Sequence, residues 1–328
     1  MAQRGPRSIA GGAGGAAEAT SRLTARPRAA VRTTSIGAAL ENERVLGLLL
    51  LAPTLTLLAL FIAYPFVMGV WISLTSASVG NVGTFVGLKN FVKLFGDTIF
   101  QRAAYNTFVY TAIATVAKLA LGMWLAILLN RHFRAKRLVR ASMLLPFIIP
   151  TVLSTLAWKW MFDPTFSVLN WTLYHAGFIQ TRIGWLTDPT MALMSVIIVN
   201  VWRGMPFYAI SLLAGLQTVS PELHEAAAID GANAWQRFWR ITWPLVLPVT
   251  MVVTLFSVIQ TFADFQLVYA LTGGGPANSP HLFATYAYPI GIVTGLLGEG
   301  AAASLAMFPM LFVIVIVQLW YIRRVEGA

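Results

Sequence analysis

Residues 105–130 read YNTFVYTAIATVAKLALGMWLAILLN, and Lys118 is the only charge in the run. The stretch is rich in Leu and Ala and lacks the two-residue alternation of a barrel strand. It is long enough as a helix to cross about 30 Å of hydrocarbon. Similar stretches lie on either side of it, at about 45–74, 141–162, 190–216, 243–271 and 301–322. Six such runs predict an all-α, polytopic membrane protein with six transmembrane helices. Pro53 and Pro65 interrupt the first run, which predicts a bend or an interfacial portion there. Residues 282–297, with Pro289, Gly291 and Gly295, are too short for a span and suit a re-entrant or interfacial helix.

Composition agrees with that reading. Of 328 residues 57% are hydrophobic and 11% charged, and the mean hydropathy is +0.71. Soluble domains carry about 25% charged residues, so an ordinary soluble enzyme and a disordered scaffold are both excluded. Cysteine is absent, and the four histidines (His132, His175, His224, His281) match no metal-ligand spacing. Residues 1–40 are of another kind, Gly- and Arg-rich without apolar periodicity, and read as a flexible cytoplasmic tail ahead of a membrane domain at 41–328. The net charge of +11 has a topological explanation. With the N-terminus inside, sixteen Lys and Arg fall on inner segments, four on outer segments and three within spans. That positive-inside bias predicts two cytoplasmic termini and accounts for the basic balance without nucleic acid.

Between the fourth and fifth runs lies a polar stretch, 219–242. Ser220 is a natural N-cap and Pro221 a natural first helical residue, with Glu222 and Glu225 near the positive end of the helix dipole. Gly231 permits a sharp turn. A second short helix follows, with Trp235, Phe238 and Trp239 on one face, and Pro244 is expected to restart the chain into the membrane. Such a helix–Gly–helix suits either an interfacial segment resting its aromatics among headgroups or a knob that docks into another protein.

The order Glu225-Ala226-Ala227, Gly231, then Ile241-x-x-Pro244 resembles the EAA loop of permease subunits of binding-protein-dependent ABC importers. Trp243 stands where that family usually has Leu. The runs Val199-Asn200-Val201-Trp202-Arg203-Gly204-Met205-Pro206-Phe207 and Leu271-Thr272-Gly273-Gly274-Gly275-Pro276 are similar to the carbohydrate branch, maltose-type permeases included. The resemblance implies a bacterial inner-membrane location and a coupling loop in which Glu222, Glu225, Ala226, Ala227, Asp230 and Gly231 meet a cytoplasmic ATPase. It also implies a heterodimer with a second permease, a pair of ATPase subunits that bind ATP and Mg, and an extracytoplasmic solute-binding protein. The chain contains no phosphate-binding loop of its own and no nucleophile–base set, and no cofactor is expected in it.

Charges inside spans are expensive, about 2.5–3.5 kcal/mol each at mid-bilayer on insertion scales. Lys118 and Lys159 are expected to snorkel. Arg203 shares a helix face with Asn200 and Phe207, and Gln260, Thr261 and Asp264 group similarly on the next run. From the residues alone the two faces suit either a hydrophilic path or polar glue between helices. The resemblance maps sugar contacts onto Phe147, Thr151, Asn200, Arg203, Gly204, Phe207, Gln260, Thr261 and Asp264. Aromatic platforms with amides suit a carbohydrate. A pair between Arg203 and Asp264 is expected to neutralise the site for a neutral sugar. An unpaired Arg203 instead suits an anionic sugar derivative or glycerol phosphate. An ion-coupled secondary transporter is the competing class, with Asp264 as its single intramembrane carboxylate.

Overall fold

The computed structural model describes residues 43–326, so the expected tail at 1–40 lies outside the described residues. Two compact units divide the chain, 1–62 and 63–328. Among the described residues the architecture is all-α, with two isolated bridges, Thr75 with Phe85 and Ser78 with Asn81. In chain order the helices are α1 (Glu43–Ser73), α2 (Lys89–Phe95), α3 (Thr98–Asn130), α4 (Lys136–Ile148), α5 (Thr151–Met161) and α6 (Val168–His175). Then come α7 (Pro189–Leu216), α8 (Pro221–Ile229), α9 (Ala234–Phe262), α10 (Gln266–Thr272), α11 (Phe283–Val293) and α12 (Leu297–Glu326). Five of these are long and apolar enough to cross a membrane, and six spans result when the bent pair α4–α5 counts as one.

Four expectations are corrected by the helix boundaries. The first run is helical through Pro53 and carries a π-turn at Ala59–Ala63, ahead of Pro65, instead of an interruption. A proline ring collides with the carbonyl four residues earlier, and a widened turn relieves that collision without ending the helix. The same device, a π-turn at Phe238–Thr242, precedes Pro244, so the chain does not restart there but runs helically from Ala234 to Phe262. The stretch 141–162 is two helices meeting at 91°. Ile149, directly before Pro150, is extended (φ −62°, ψ 131°), as the steric demand of the following proline ring requires. The fifth run ends at Phe262 rather than 271. Asp264 then accepts a hydrogen bond from the Leu267 N–H (3.3 Å) as the short α10 begins.

The second unit is organised around α3 and α7, which share the most extensive helix–helix contact. Asp97 and Asp188 cap their N-termini, accepting from Ile99 N (2.7 Å) and from Thr190 N and Met191 N (both 2.9 Å). Small residues let the two backbones approach. A Cβ at Gly122 would stand 2.5 Å from the Cβ of Tyr208, whose side chain is fully buried. Around this pair Met123, Ala126, Leu212, Leu213, Val246 and Val253 form one apolar cluster, and Tyr110, Ala114, Phe162, Val196 and Leu267 belong to another. Outward faces stay apolar. Phe308, Phe312, Ile316 and Trp320 recur every four residues on α12 and are all exposed, as a lipid-facing stripe should be.

Candidate functional site

Within the second unit α3, α4, α5, α7 and α9, with the first residue of α10, line a cavity of about 530 Å³. Lys118 enters from α3, Phe147 from the end of α4 and Thr151 from the start of α5. Asn200, Arg203, Gly204 and Phe207 come from α7, and Phe256, Ser257, Gln260 and Thr261 from α9. Ala263, Asp264 and Phe265 line it from the break after α9, and Gln266 from the first residue of α10. All nine residues mapped from the sequence therefore meet in one cavity, although they are separated by up to 117 positions along the chain.

Each break in a helix has a use here. Phe147 and Thr151 stand on either side of the 91° bend between α4 and α5, and both line the cavity. The end of α9 at Phe262 frees Asp264 from helical geometry, and its carboxylate accepts from Tyr110 Oη (2.7 Å), Asn200 Nδ2 (3.1 Å) and Leu267 N (3.3 Å). Losing that acceptor would leave buried donors unsatisfied, at about 1–3 kcal/mol each. Phe147 stacks on Phe207 with ring centroids 5.7 Å apart and planes 18° apart, and Phe256 abuts Phe207 at 5.4 Å. These rings give the cavity an apolar wall opposite its amides and charges.

Two expectations about the charges change. Lys118 does not snorkel: it is 3% exposed, and its Nζ donates to Thr261 Oγ1 at 2.7 Å. Lys159, at the far end of α5, is exposed. The Arg203–Asp264 ion pair is not formed. Among the described residues the ion pair within 4.0 Å is Lys93–Glu299 (2.6 Å), far from the cavity in sequence and on its own pair of helices. Asp264 is occupied by neutral donors instead, and the Arg203 Nε is buried without a hydrogen-bond partner, as is Asn200 Oδ1.

Tyr110 and Lys118 are the participants that the sequence reading missed or misassigned. A signal for them exists. Asn106, Tyr110 and Lys118 fall on four-residue multiples along α3, all buried, which marks a polar stripe on one helix face. Phe256, Ser257, Ala263, Phe265 and Gln266 also line the cavity and were not among the positions mapped from the sequence.

The loop 219–242 is built differently. Ser220 Oγ accepts from Glu222 N (3.3 Å), and α8 carries no buried residue. Gly231 adopts φ +82°, the left-handed conformation that its place in the turn demands, with Ala232 N donating to Ala227 O at 2.8 Å. Asn233 and Gln236 close a capping box, and Trp235 packs edge-on against Trp239 at 5.5 Å. His224 ties the two arms together: its carbonyl accepts from Arg237 Nη1 (3.4 Å), and its Nε2 lies 3.5 Å from Thr242 Oγ1.

The family model for binding-protein-dependent transport system inner membrane components matches residues 118–327, which contain every residue that lines this cavity and the whole loop. The chain belongs to that family. As a member it is a permease subunit, a transport component rather than an ATPase. It is 35% identical to the sulfoquinovosyl glycerol transport system permease of Agrobacterium fabrum, over 86% of this chain and 92% of that one. It is 32% identical to the trehalose/maltose transport system permease of Thermococcus litoralis, over 86% and 96% of the two chains. Among solved structures, a bacterial ABC transporter involved in the import of the acidic polysaccharide alginate superposes with a TM-score of 0.75 at 24% identity, covering 89% of this chain and 99% of that one. That likeness shares the fold.

Proposed function

We propose that this permease translocates a carbohydrate through the central cavity by alternating access, with both termini in the cytoplasm. The observation that carries the reading is the lining itself. A stacked aromatic wall faces an unpaired amide oxygen and several hydroxyl- and amide-bearing side chains, the combination that suits the apolar faces and hydroxyl rim of a sugar. The names of the relatives, which handle sulfoquinovosyl glycerol and trehalose or maltose, support the same class. The permease works beside a second permease, two ATPase subunits and a solute-binding protein. A solved relative of the same fold was captured with an alginate pentasaccharide-bound periplasmic protein, which supports the last of these.

In this reading the exposed helix α8 and the Gly231 turn dock into the ATPase, and closure of the ATPase pair reorients the spans around the cavity. The α8 surface suits that role because Glu222, Glu225 and Ala226, with Asp230 at its C-cap, are exposed. Reconstitution is the test. Carbohydrate uptake should require ATP, the ATPase and the solute-binding protein; uptake by this chain alone under an ion gradient would overturn the proposal.

A further inference from the structure

The cavity's charges do not balance. Lys118 and Arg203 bring two cations into it, and Asp264 brings the one carboxylate among its lining residues. Asp264 forms an ion pair with neither cation; its oxygens accept from Tyr110, Asn200 and Leu267 instead. It offsets one positive charge and leaves one over. In a membrane interior that surplus is costly unless something neutralises it.

The two cations also retain free donors. The Lys118 ammonium has three protons and one recorded acceptor, Thr261. The Arg203 Nε is buried with no acceptor at all. Nor has Lys118 arrived by default. Its stem crosses α7 at Gly204, where an added Cβ would lie 2.6 Å from Lys118 Cδ. A side chain at 204 would press on the Lys118 stem, so the glycine leaves room for that stem beside α7. A further positive feature adds to these. Thr151, the first residue of α5, lines the same cavity, and no side chain caps that helix start.

We propose that the carbohydrate carried by this permease bears an acidic group, a carboxylate, sulfonate or phosphate, received by Lys118 and Arg203. The inference rests on the carbohydrate reading above and narrows it. The acidic group neutralises the surplus charge and supplies acceptors to the free Lys118 and Arg203 donors. The unpaired Asn200 Oδ1 takes a hydroxyl of the same molecule, and the Phe147–Phe207 wall takes its apolar face. Gly204 is a positioning residue in this scheme, acting through Lys118.

The test uses the assembled transporter in detergent and sugars matched in all but the acidic group: glucose with glucuronate, and galactose with galacturonate. The readout is the concentration of each sugar that half-maximally raises the thermal unfolding midpoint. The acidic member of a pair should act at a concentration at least about tenfold lower, the scale of one charge-assisted hydrogen bond. Lys118→Gln should abolish that preference, so that the two members of each pair act at the same concentration. Gly204→Ala should weaken the preference in the wild type and have no further effect on it in Lys118→Gln. If Lys118→Gln fails to assemble, Arg203→Gln reads the same preference. Equal or stronger stabilisation by the neutral sugars, or an acid preference that survives both charge removals, would overturn the inference and leave the carbohydrate reading standing. If no member of either pair stabilises the wild type, the carbohydrate reading falls and takes this inference with it.

Discussion

The cavity and the loop 219–242 are opposite kinds of site. The loop is contiguous: its caps, its Gly231 turn and its exposed acidic face lie within about twenty-five residues, and its hydrogen bonds are almost all local. The cavity is assembled from α3, α4, α5, α7 and α9, and its key bonds join residues 64, 143 and 154 positions apart. A contiguous site is held by propensity and capping, and changes in it should leave the fold alone. A site stitched across helices is part of what holds them together, so changes in it should cost stability as well as activity.

The largest effect should come from breaking the loop. Gly231→Pro removes a residue at φ +82° in favour of one locked near −65°, and Glu225→Lys reverses a charge on the exposed face of α8. Each should reduce ATP-driven uptake at least about tenfold and abolish co-purification of the ATPase, with helical circular dichroism unchanged. Retained uptake and co-purification would remove the contrast drawn here.

Asp264→Ala tests the other side of the comparison. It strips the acceptor from Tyr110 Oη, Asn200 Nδ2 and Leu267 N, and should lower stability by about 1–3 kcal/mol per donor left buried and unsatisfied. Thermal unfolding of the purified chain measures it, and a loss of uptake without loss of stability would show that the cavity is no structural keystone. Gly122→Val, at a residue that does not line the cavity, should destabilise by about 1–3 kcal/mol through overpacking against Tyr208.

A charge exchange sharpens the picture within the cavity. Because Arg203 and Asp264 form no ion pair, Arg203→Asp combined with Asp264→Arg should be at least as destabilised as the worse single variant. Rescue by the exchange would reinstate the pair. The smallest effect is assigned to His224→Ala, which removes a 3.5 Å side-chain contact to Thr242 and keeps the backbone carbonyl that Arg237 uses. Stability should change by less than about 0.5 kcal/mol, read by the same unfolding measurement.

Much of this molecule was legible before any coordinates. Long apolar runs without period-two alternation dictate membrane helices, because hydrocarbon demands that each backbone bond be satisfied within its own segment. Ser220, Pro221 and Gly231 dictate the loop for an equally local reason, since capping and positive φ depend only on neighbours. What local sequence hid was the consequence of context. Pro53, Pro65 and Pro244 read as breaks, yet the helices run on through all three, with one π-turn ahead of Pro65 and another ahead of Pro244, because a widened turn relieves the clash of the proline ring without ending the helix. Lys118 read as a snorkelling lysine because its stem is long enough to reach an interface. Only the tertiary structure could turn it inward, since that depends on a glycine 86 residues away leaving room for its stem and a threonine on α9 accepting its hydrogen bond. The same holds for Arg203 and Asp264. Their types and positions announced a charge balance, but which donors reached the carboxylate first was settled by the end of α9 at Phe262 and by Tyr110 arriving from α3. Sequence determined which groups are present and which helices carry them; the packing of those helices decided which groups meet.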